Sequence, residues 1–335
     1  MGWVYGTFRR KTIWRWLKLI LTKVPLRITL AGGGTDLPSF YEKHGGFWVS
    51  AAIDKHIYVI VKDRFEPEPR ISYSKLEIVE DTTKIEHPII RECLKKFGVL
   101  KNIEILTFAD LPGSSGLGSS GAFATALVVA MLERMNTNHR MRHVAAPEIA
   151  FEIEHDILGR TTGRQDHYAS YFGGVRAYTS TKEGRIKHSM VREGFGLELY
   201  LAMYYTGITR AAEPILQQVS NKENAMLKIQ DIGYETYNAI KRREYYKVGK
   251  LFDDHWKVKR SITPEMSTGL IDKWYNVAIK NGAEGGKLIG AGGGGFLLFY
   301  VDPTNRQKLK DVLSAEGLKE TPFFFNRRGV EVFHI

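Results

Sequence analysis

The sequence predicts an α+β protein built from two domains. Segments of strand character and of helical periodicity alternate along the chain. Its 335 residues suffice for two hydrophobic cores, and 43% hydrophobic with 25% charged residues is a globular balance. We place the domains at residues 22–180 and 181–335, behind an N-terminal extension of residues 1–21 whose role is open.

The first half of the chain contains strands and two helices. Strand character is predicted at 24–31, 47–61, 103–108 and again after Gly173-Gly174, up to 178. Residues 122–133 are apolar on nearly every side, which predicts a buried helix. A second helix is predicted at 147–158, with Pro147 in its first turn and Gly159 at its end.

The second half continues the alternation. Strands are predicted at 197–205, 296–301 and 329–334. Helices are predicted at 211–232, 233–262, 267–281 and 303–315. The last glycine-rich turn leads directly into the strand at 296–301.

The formal net charge of +11 fits either a nucleic-acid or membrane partner, or an active site that receives anions. No stretch carries an RNA-recognition, zinc-finger or helix-turn-helix signature, so we do not expect nucleic acid as a partner. The apolar run at 13–21 is too short to span a bilayer. A membrane contact is expected at most for the extension, as a basic surface helix. The expected location is cytoplasmic, and the oligomeric state stays open.

Cysteine and histidine chemistry is not expected here. The chain has one cysteine, Cys93, so no intramolecular disulfide can form, and we expect a packing role for it. The ten histidines show no metal-binding spacing such as H-E-x-x-H. The chemistry is therefore expected from other residues.

Three glycine-rich turns, at residues 32–34, 113–121 and 290–295, lie next to predicted strands. Glycine lets a backbone adopt positive φ and approach a ligand closely. The middle turn opens the buried helix, and the free N–H groups at such a helix start bind phosphates. Ser119 and Ser120 stand where they could cap the helix or ligate a cation.

Three familiar phosphate-binding folds do not match this turn. Residues 116–121 fit G-x-G-x-x-G, but a helix follows where a dinucleotide-binding fold needs a strand. Gly118 is followed by serine, whereas a Walker loop needs lysine there. The H-R-D and D-F-G strings of protein kinases do not occur.

The turn from Pro112 to Ser120, P-x-x-x-G-L-G-S-S, resembles the ATP motif of the GHMP small-molecule kinases. Residues 25–36 resemble the first motif of that family and residues 290–295 resemble the third, in the same order. The resemblance covers the chain from residue 24. It implies a two-domain architecture, with a mixed sheet and buried helix first and a ferredoxin-like α/β sandwich second.

Within this superfamily, four segments are most similar to the D-glycero-D-manno-heptose 7-phosphate kinases: 31–41, 163–174, 206–210 and 285–296. The resemblance implies transfer of the γ-phosphoryl group of ATP, with Mg²⁺, to the anomeric hydroxyl of a sugar phosphate. The alternative is a GHMP kinase for another small alcohol, such as fucose, galactose or mevalonate. A binding protein that kept only the fold should have lost the motif residues, which are present.

The resemblance also implies roles for single residues. Asp166 is the expected base and Arg27 the cation that stabilises phosphate charge, although an aspartate at this position could be a turn former. Ser120 and Glu154 are the expected magnesium ligands. The ATP phosphates are assigned to Pro112, Gly113, Ser114, Ser115, Gly116, Leu117, Gly118, Ser119, Ser120 and Gly121.

Substrate contacts are expected from the first and third glycine-rich turns and from basic residues between them. Asp36 would bind sugar hydroxyls, with helix capping as its alternative role. Arg210 is the first choice for a substrate phosphate, with Arg164, Lys259 and Arg260 behind it. The full expected set is Gly33, Gly34, Thr35, Asp36, Arg164, Arg210, Gly292 and Gly293.

Overall fold

The computed structural model describes residues 19–135, 139–209, 213–219 and 222–335. Most of the predicted N-terminal extension and Arg210 lie outside these residues. Within the described ranges, no helix combines the length and apolarity needed to cross a membrane. The α+β class predicted from the sequence is confirmed.

The chain forms two sheets and the helices that cover them. The strands are β1 (Ile20–Ala31), β2 (Gly46–Asp63), β3 (Arg70–Ser72), β4 (Leu76–Ile78), β5 (Ile103–Ala109), β6 (Val175–Ser180), β7 (Ile186–Met190), β8 (Leu201–Tyr205), β9 (Ala283–Leu288), β10 (Phe296–Val301), β11 (Lys319–Glu320) and β12 (Glu331–His334). The α-helices are α1 (Pro38–His44), α2 (Pro88–Lys96), α3 (Ser119–Arg134), α4 (His139–Glu152), α5 (Gln165–Phe172), α6 (Glu213–Val219), α7 (Glu223–Lys241), α8 (Tyr246–Arg260), α9 (Gly269–Lys280) and α10 (Arg306–Ala315).

The first sheet has the strand order β12-β1-β2-β5-β3-β4, and β6 joins β2 to β7. Strand β1 runs antiparallel to β2, with register shifts on either side of Arg27. Pro25, which has no N–H to donate, lies at the first shift. Beside it, the Arg27 N–H donates to Leu117 O over 3.1 Å. This hydrogen bond connects β1 to the middle glycine-rich turn.

Helix α3 is the centre of the first half. Every residue from Gly121 to Leu132 is buried, as its apolar composition predicts. Burial of one valine or leucine side chain stabilises the folded state by about 1.5–3 kcal/mol. The many buried side chains of α3 therefore hold its first turn in a fixed position. Since that first turn faces the glycine-rich loop, the core fixes the position of the candidate phosphate site.

The second sheet has the order β11-β8-β10-β9. Alternation along β10 divides its side chains between two cores. Leu297 and Phe299 join α9 and α10 in one core. Phe296 and Leu298 face the core that contains β1 and α3. The two halves of the chain therefore share a continuous apolar contact.

Several predicted boundaries are wrong. Pro147 lies inside α4, which begins at His139 and continues into a π-helical turn at Ile153–Ile157. The predicted break at residue 233 does not exist: Gly233 lies within α7, where its bare Cα lets the helix approach the backbone of Gly32. The domain boundary near residue 180 stays a prediction, and β7 and β12 beyond it belong to the first sheet.

Other segments differ in detail. Residues 197–200 form a 3-10 turn, so the predicted strand starts only at Leu201. The first strand starts at Ile20, inside the predicted extension. Cys93 is fully buried, as a packing role requires. Burial raises the pKa of its thiol, and a protonated thiol is a poor nucleophile.

Candidate active site

A cavity of about 430 Å³ opens where the two halves of the chain meet. Its walls come from the end of β1, the three glycine-rich turns, the segment before α5, helix α6, the first half of α7, and the inner faces of α8 and β9. Cavities of this size between domains commonly hold small molecules and cofactors.

The middle glycine-rich turn brings α3 to the cavity with its N–H groups exposed. Gly118, the residue before the helix, has φ 76°, a left-handed conformation suited to glycine, and no side chain of the described residues caps the helix. The predicted capping by Ser119 or Ser120 is therefore not found. Gly116 packs so closely on the third turn that a Cβ would lie 2.5 Å from Ile289 O. The middle and third glycine-rich turns are therefore in direct contact.

Not all of the residues assigned to ATP reach the cavity. Ser114, Ser115, Gly116, Gly118, Ser119 and Ser120 line it. Leu117 is instead buried in the core, and Pro112, Gly113 and Gly121 are outside the lining. Among the described residues, the buried hydroxyl of Ser119 has no hydrogen-bond partner, so it is available to bind a polar ligand in the cavity.

Arg27 and Asp166 form an ion pair at the cavity wall. Asp166 Oδ1 accepts from Arg27 Nε at 2.8 Å and lies 2.6 Å from Nη2. Arg27 Nη1 also donates to Gly116 O at 2.6 Å. The guanidinium is 6% exposed and the carboxylate 25%. Asp166 lies in the first turn of α5 rather than in a loop, so the helix holds it against the phosphate turn.

Glu154 lies on the π-helical turn, almost completely buried at 2% exposure. Its carboxylate accepts from Ser120 Oγ, from Arg160 at 3.1 Å and pairs with His167 Nε2 at 3.0 Å. Burial alone would raise the pKa of Glu154, but the His167 and Ser120 hydrogen bonds and the Arg160 charge hold it below its usual value. The carboxylate is therefore charged at neutral pH.

Asp36 joins the first glycine-rich turn to the segment before α5. Its carboxylate accepts from Gly34 N at 3.1 Å and from Gln165 N at 3.0 Å. Leu37, not Asp36, is the residue before α1, so Asp36 does not cap that helix; it instead accepts from the N–H of the first residue of α5. Burial raises the pKa of Asp36, and the nearby charge of Asp166 raises it further. Gly163 leaves room for it, because a Cβ there would lie 2.0 Å from Asp36 Oδ2.

Three residues of the expected substrate set do not line the cavity. Thr35 is buried, and its single hydroxyl proton is shared between Gly32 O and Phe47 O, which holds the turn together. Arg164 pairs with Glu148 at 3.1 Å and stacks on Phe151. Gly293 donates its N–H to Met266 O. Gly33, Gly34, Asp36 and Gly292 do line the cavity.

Sequence reasoning missed several groups of the lining. Gln165 bridges Thr29 and Ser50 by its side-chain amide. Lys287, His255 and Arg160 also line the cavity, as does Lys259, which we ranked behind Arg210. His255 and Lys259 are four residues apart in a predicted helix and therefore share one helix face. This spacing is the sequence signal that could have placed both side chains at the site.

Lys259 predicts a measurable pH dependence of stability. Burial, and then the charge of Arg27, lowers the pKa of Lys259 from 10.5 to about 7. Between these values the unfolded chain holds a proton that the folded chain lacks, so stability rises with pH. We expect Lys259→Met to reduce this rise by about 2 kcal/mol between about pH 7 and about pH 9. Denaturant unfolding at both pH values measures it.

The exposed lysine next to this position provides the control. Lys257 pairs with Asp253 on the outer side of α8. Lys257→Met should keep the original pH dependence of the unfolding free energy. Equal pH slopes for the original protein and Lys259→Met would contradict the shifted pKa.

The arrangement combines what phosphoryl transfer needs. Uncapped N–H groups and Arg27 face one region of the cavity, and the Asp166 carboxylate lies beside them. Transfer of a phosphoryl group depends on positioning and charge neutralisation more than on covalent catalysis. A carboxylate next to the acceptor can take its proton or orient its hydroxyl.

Comparison with known proteins agrees with this chemistry. Residues 83–174 match the model of the GHMP kinases N terminal domain. The chain is 30% identical over 347 residues to a D-glycero-alpha-D-manno-heptose 7-phosphate kinase of Campylobacter jejuni, covering 95% of this chain and 100% of the relative. It is 25% identical over 352 residues to an L-fucokinase/L-fucose-1-P guanylyltransferase of Bacteroides fragilis, covering 90% of this chain and 36% of that protein.

The fold is also similar to solved structures. A D-glycero-D-manno-heptose 1-phosphate kinase from Bacteroides thetaiotaomicron superposes with a TM-score of 0.77 at 23% identity. The match covers 94% of this chain and 99% of the other. At this identity the likeness shows the shared two-domain fold.

Proposed function

The chain belongs to the GHMP kinases, and on that premise we propose that it uses ATP to phosphorylate a sugar phosphate, D-glycero-D-manno-heptose 7-phosphate, at its anomeric hydroxyl. The product would be the 1,7-bisphosphate. The observation that carries the proposal is the Arg27–Asp166 pair beside the uncapped start of α3.

The proposed reaction assigns a role to each wall of the cavity. The N–H groups of Ser119 and Ser120 would bind the ATP phosphates at the helix start. The acceptor oxygen attacks the γ-phosphorus while the bond to the β-phosphate oxygen breaks, and the hydroxyl proton passes to Asp166. Arg27 neutralises charge that develops on the transferred group.

Ser120 and Glu154 fit a magnesium ion as partial ligands. Both offer hard oxygen atoms, and Glu154 is a buried anion. The guanidinium of Arg160 already contacts both oxygens, so the site accommodates positive charge. Across the described ranges, no group of three or more His, Cys, Asp or Glu could hold a metal alone. Magnesium, when bound with the phosphates of ATP, would neutralise their charge.

Substrate choice is the direct test of the proposal. We expect ADP release with ATP and heptose 7-phosphate, at a kcat/KM at least about 10-fold above that with heptose, fucose, galactose or mevalonate. A coupled assay for ADP across this panel measures it, and phosphorus NMR identifies the new anomeric phosphate. A higher kcat/KM with another alcohol would replace the heptose assignment by the alternative GHMP kinase activity.

A further inference from the structure

Three basic side chains form one wall of the cavity. They have no role in the proposed catalytic step or in the proposed magnesium site. We call His255 and Lys259 of α8 and Lys287 of β9 the basic wall. They are 5%, 9% and 2% exposed, respectively, and all three line the cavity. The basic wall belongs to the second half of the chain, whereas the α3 turn belongs to the first.

The two lysines of the basic wall lack carboxylate partners, and the ring of His255 lacks hydrogen-bond partners, among the described residues. Lys259 donates to Gly290 O, and Lys287 donates to Leu30 O at 2.5 Å. In the part of the chain that the structure describes, both lysines bond to backbone carbonyls and to no carboxylate, and neither ring nitrogen of His255 has a hydrogen-bond partner. Buried cations and buried imidazole nitrogens are costly without partners. An anion in the cavity would supply partners for all three.

The protonation of the basic wall responds to this arrangement. Burial lowers the pKa of Lys287 and of His255, and the positive charge of Lys259 lowers both further. Lys259 itself has a pKa of about 7. Such groups gain charge when an anion arrives, because an opposite charge favours their protonated forms.

The position of Lys287 points to the acceptor, while Lys259 is bonded to Gly290 O, beside the turn that carries Gly116. Lys287 bonds to Leu30 O, which lies just before the turn that carries Gly33, Gly34 and Asp36. The ATP phosphates have their own N–H groups at α3. The carboxylate of Asp166 lines the cavity and would repel an anion placed beside it. An acceptor with one anionic end is thereby oriented, with its hydroxyl toward Asp166.

We propose that the basic wall binds the phosphate group that the acceptor already carries, and so selects a sugar phosphate over the free sugar. The proposal rests on the proposed kinase function, which it extends by naming the residues that set specificity. Lysine and histidine bind phosphate through charge-assisted hydrogen bonds, which exceed neutral ones in strength.

The test compares one sugar with and without its phosphate. Lys259→Met and Lys287→Met should each lower kcat/KM for heptose 7-phosphate by about 10-fold or more. Their effect on kcat/KM for free heptose and on the Kd for ATP should be at least about 10-fold smaller than their effect on kcat/KM for heptose 7-phosphate. Lys257→Met, which removes an exposed lysine from the same helix, should change none of these quantities.

Two further measurements test the proposal if a lysine variant fails to fold: one uses His255→Gln and the other uses the unaltered enzyme. His255→Gln should raise KM for heptose 7-phosphate by a larger factor than KM for heptose. Inorganic phosphate should inhibit the unaltered enzyme competitively against heptose 7-phosphate. Equal losses with both sugars, weaker ATP binding alone, or no competition by phosphate would overturn the proposal.

Failure of the kinase function would have a different signature. In that case the unaltered protein turns over neither sugar, with ATP and Mg²⁺ present. Calorimetry with inorganic phosphate would still test the basic wall: binding that is lost in Lys287→Met but kept in Lys257→Met supports it. Phosphate binding that both variants retain refutes it.

Discussion

Asp166→Asn is expected to bind ATP normally and to lose about 100- to 10,000-fold in kcat. Asparagine keeps the shape of the side chain, and its amide oxygen can still accept from Arg27, which lies 2.6–2.8 Å away. The amide cannot accept the proton of the acceptor hydroxyl. Rates of ADP release, together with calorimetric Kd values for ATP and for the acceptor, separate lost chemistry from lost binding.

A stability measurement must accompany this variant, because it removes the counter-charge of Arg27, a guanidinium that is 6% exposed. Asp156→Asn is the matched control: Asp156 is an exposed residue on the π-helical turn, and its loss should leave both Tm and kcat unchanged. Unreduced turnover in folded Asp166→Asn would show that the carboxylate only supports structure, and the base assignment would be withdrawn.

The sequence predicted the elements whose signals are local. The buried helix α3 follows from a run of apolar helix formers, and it is found at Ser119–Arg134. The strands β2, β5 and β10 follow from β-branched and aromatic residues, and they are found within one or two residues of the predicted bounds. The glycine-rich turns lie where the pattern places them, because positive φ at Gly116 and Gly118 requires glycine.

Features that depend on distant contacts could not be predicted in this way. Pro147 suggests a helix start, yet the structure continues α4 through it. The contact of Lys287 with Leu30 O joins residues 257 positions apart, and no local pattern reveals it. The short helix that carries Asp166 was also missed, because the eight residues of α5 are too few for a clear period.

The electrostatics of the site likewise depend on tertiary structure. Glu152, Glu154 and Asp156 look alike in the sequence, and only burial distinguishes them. Glu154 is enclosed with Ser120 and His167, whereas Glu152 pairs with Lys96 at the surface. This difference gives a matched pair of glutamates for the metal proposal.

Glu154→Gln is expected to lower kcat by about 100-fold or more and to raise the Mg²⁺ concentration for half-maximal rate by about 10-fold or more. The amide preserves the size of the side chain but removes the negative charge that the His167 and Ser120 contacts hold at neutral pH. ADP release measured across a Mg²⁺ titration at saturating ATP gives both quantities. Glu152→Gln, only two residues away, should leave both unchanged. A folded Glu154→Gln protein with the original Mg²⁺ dependence would show that Glu154 holds Ser120 and His167 in place without binding the metal.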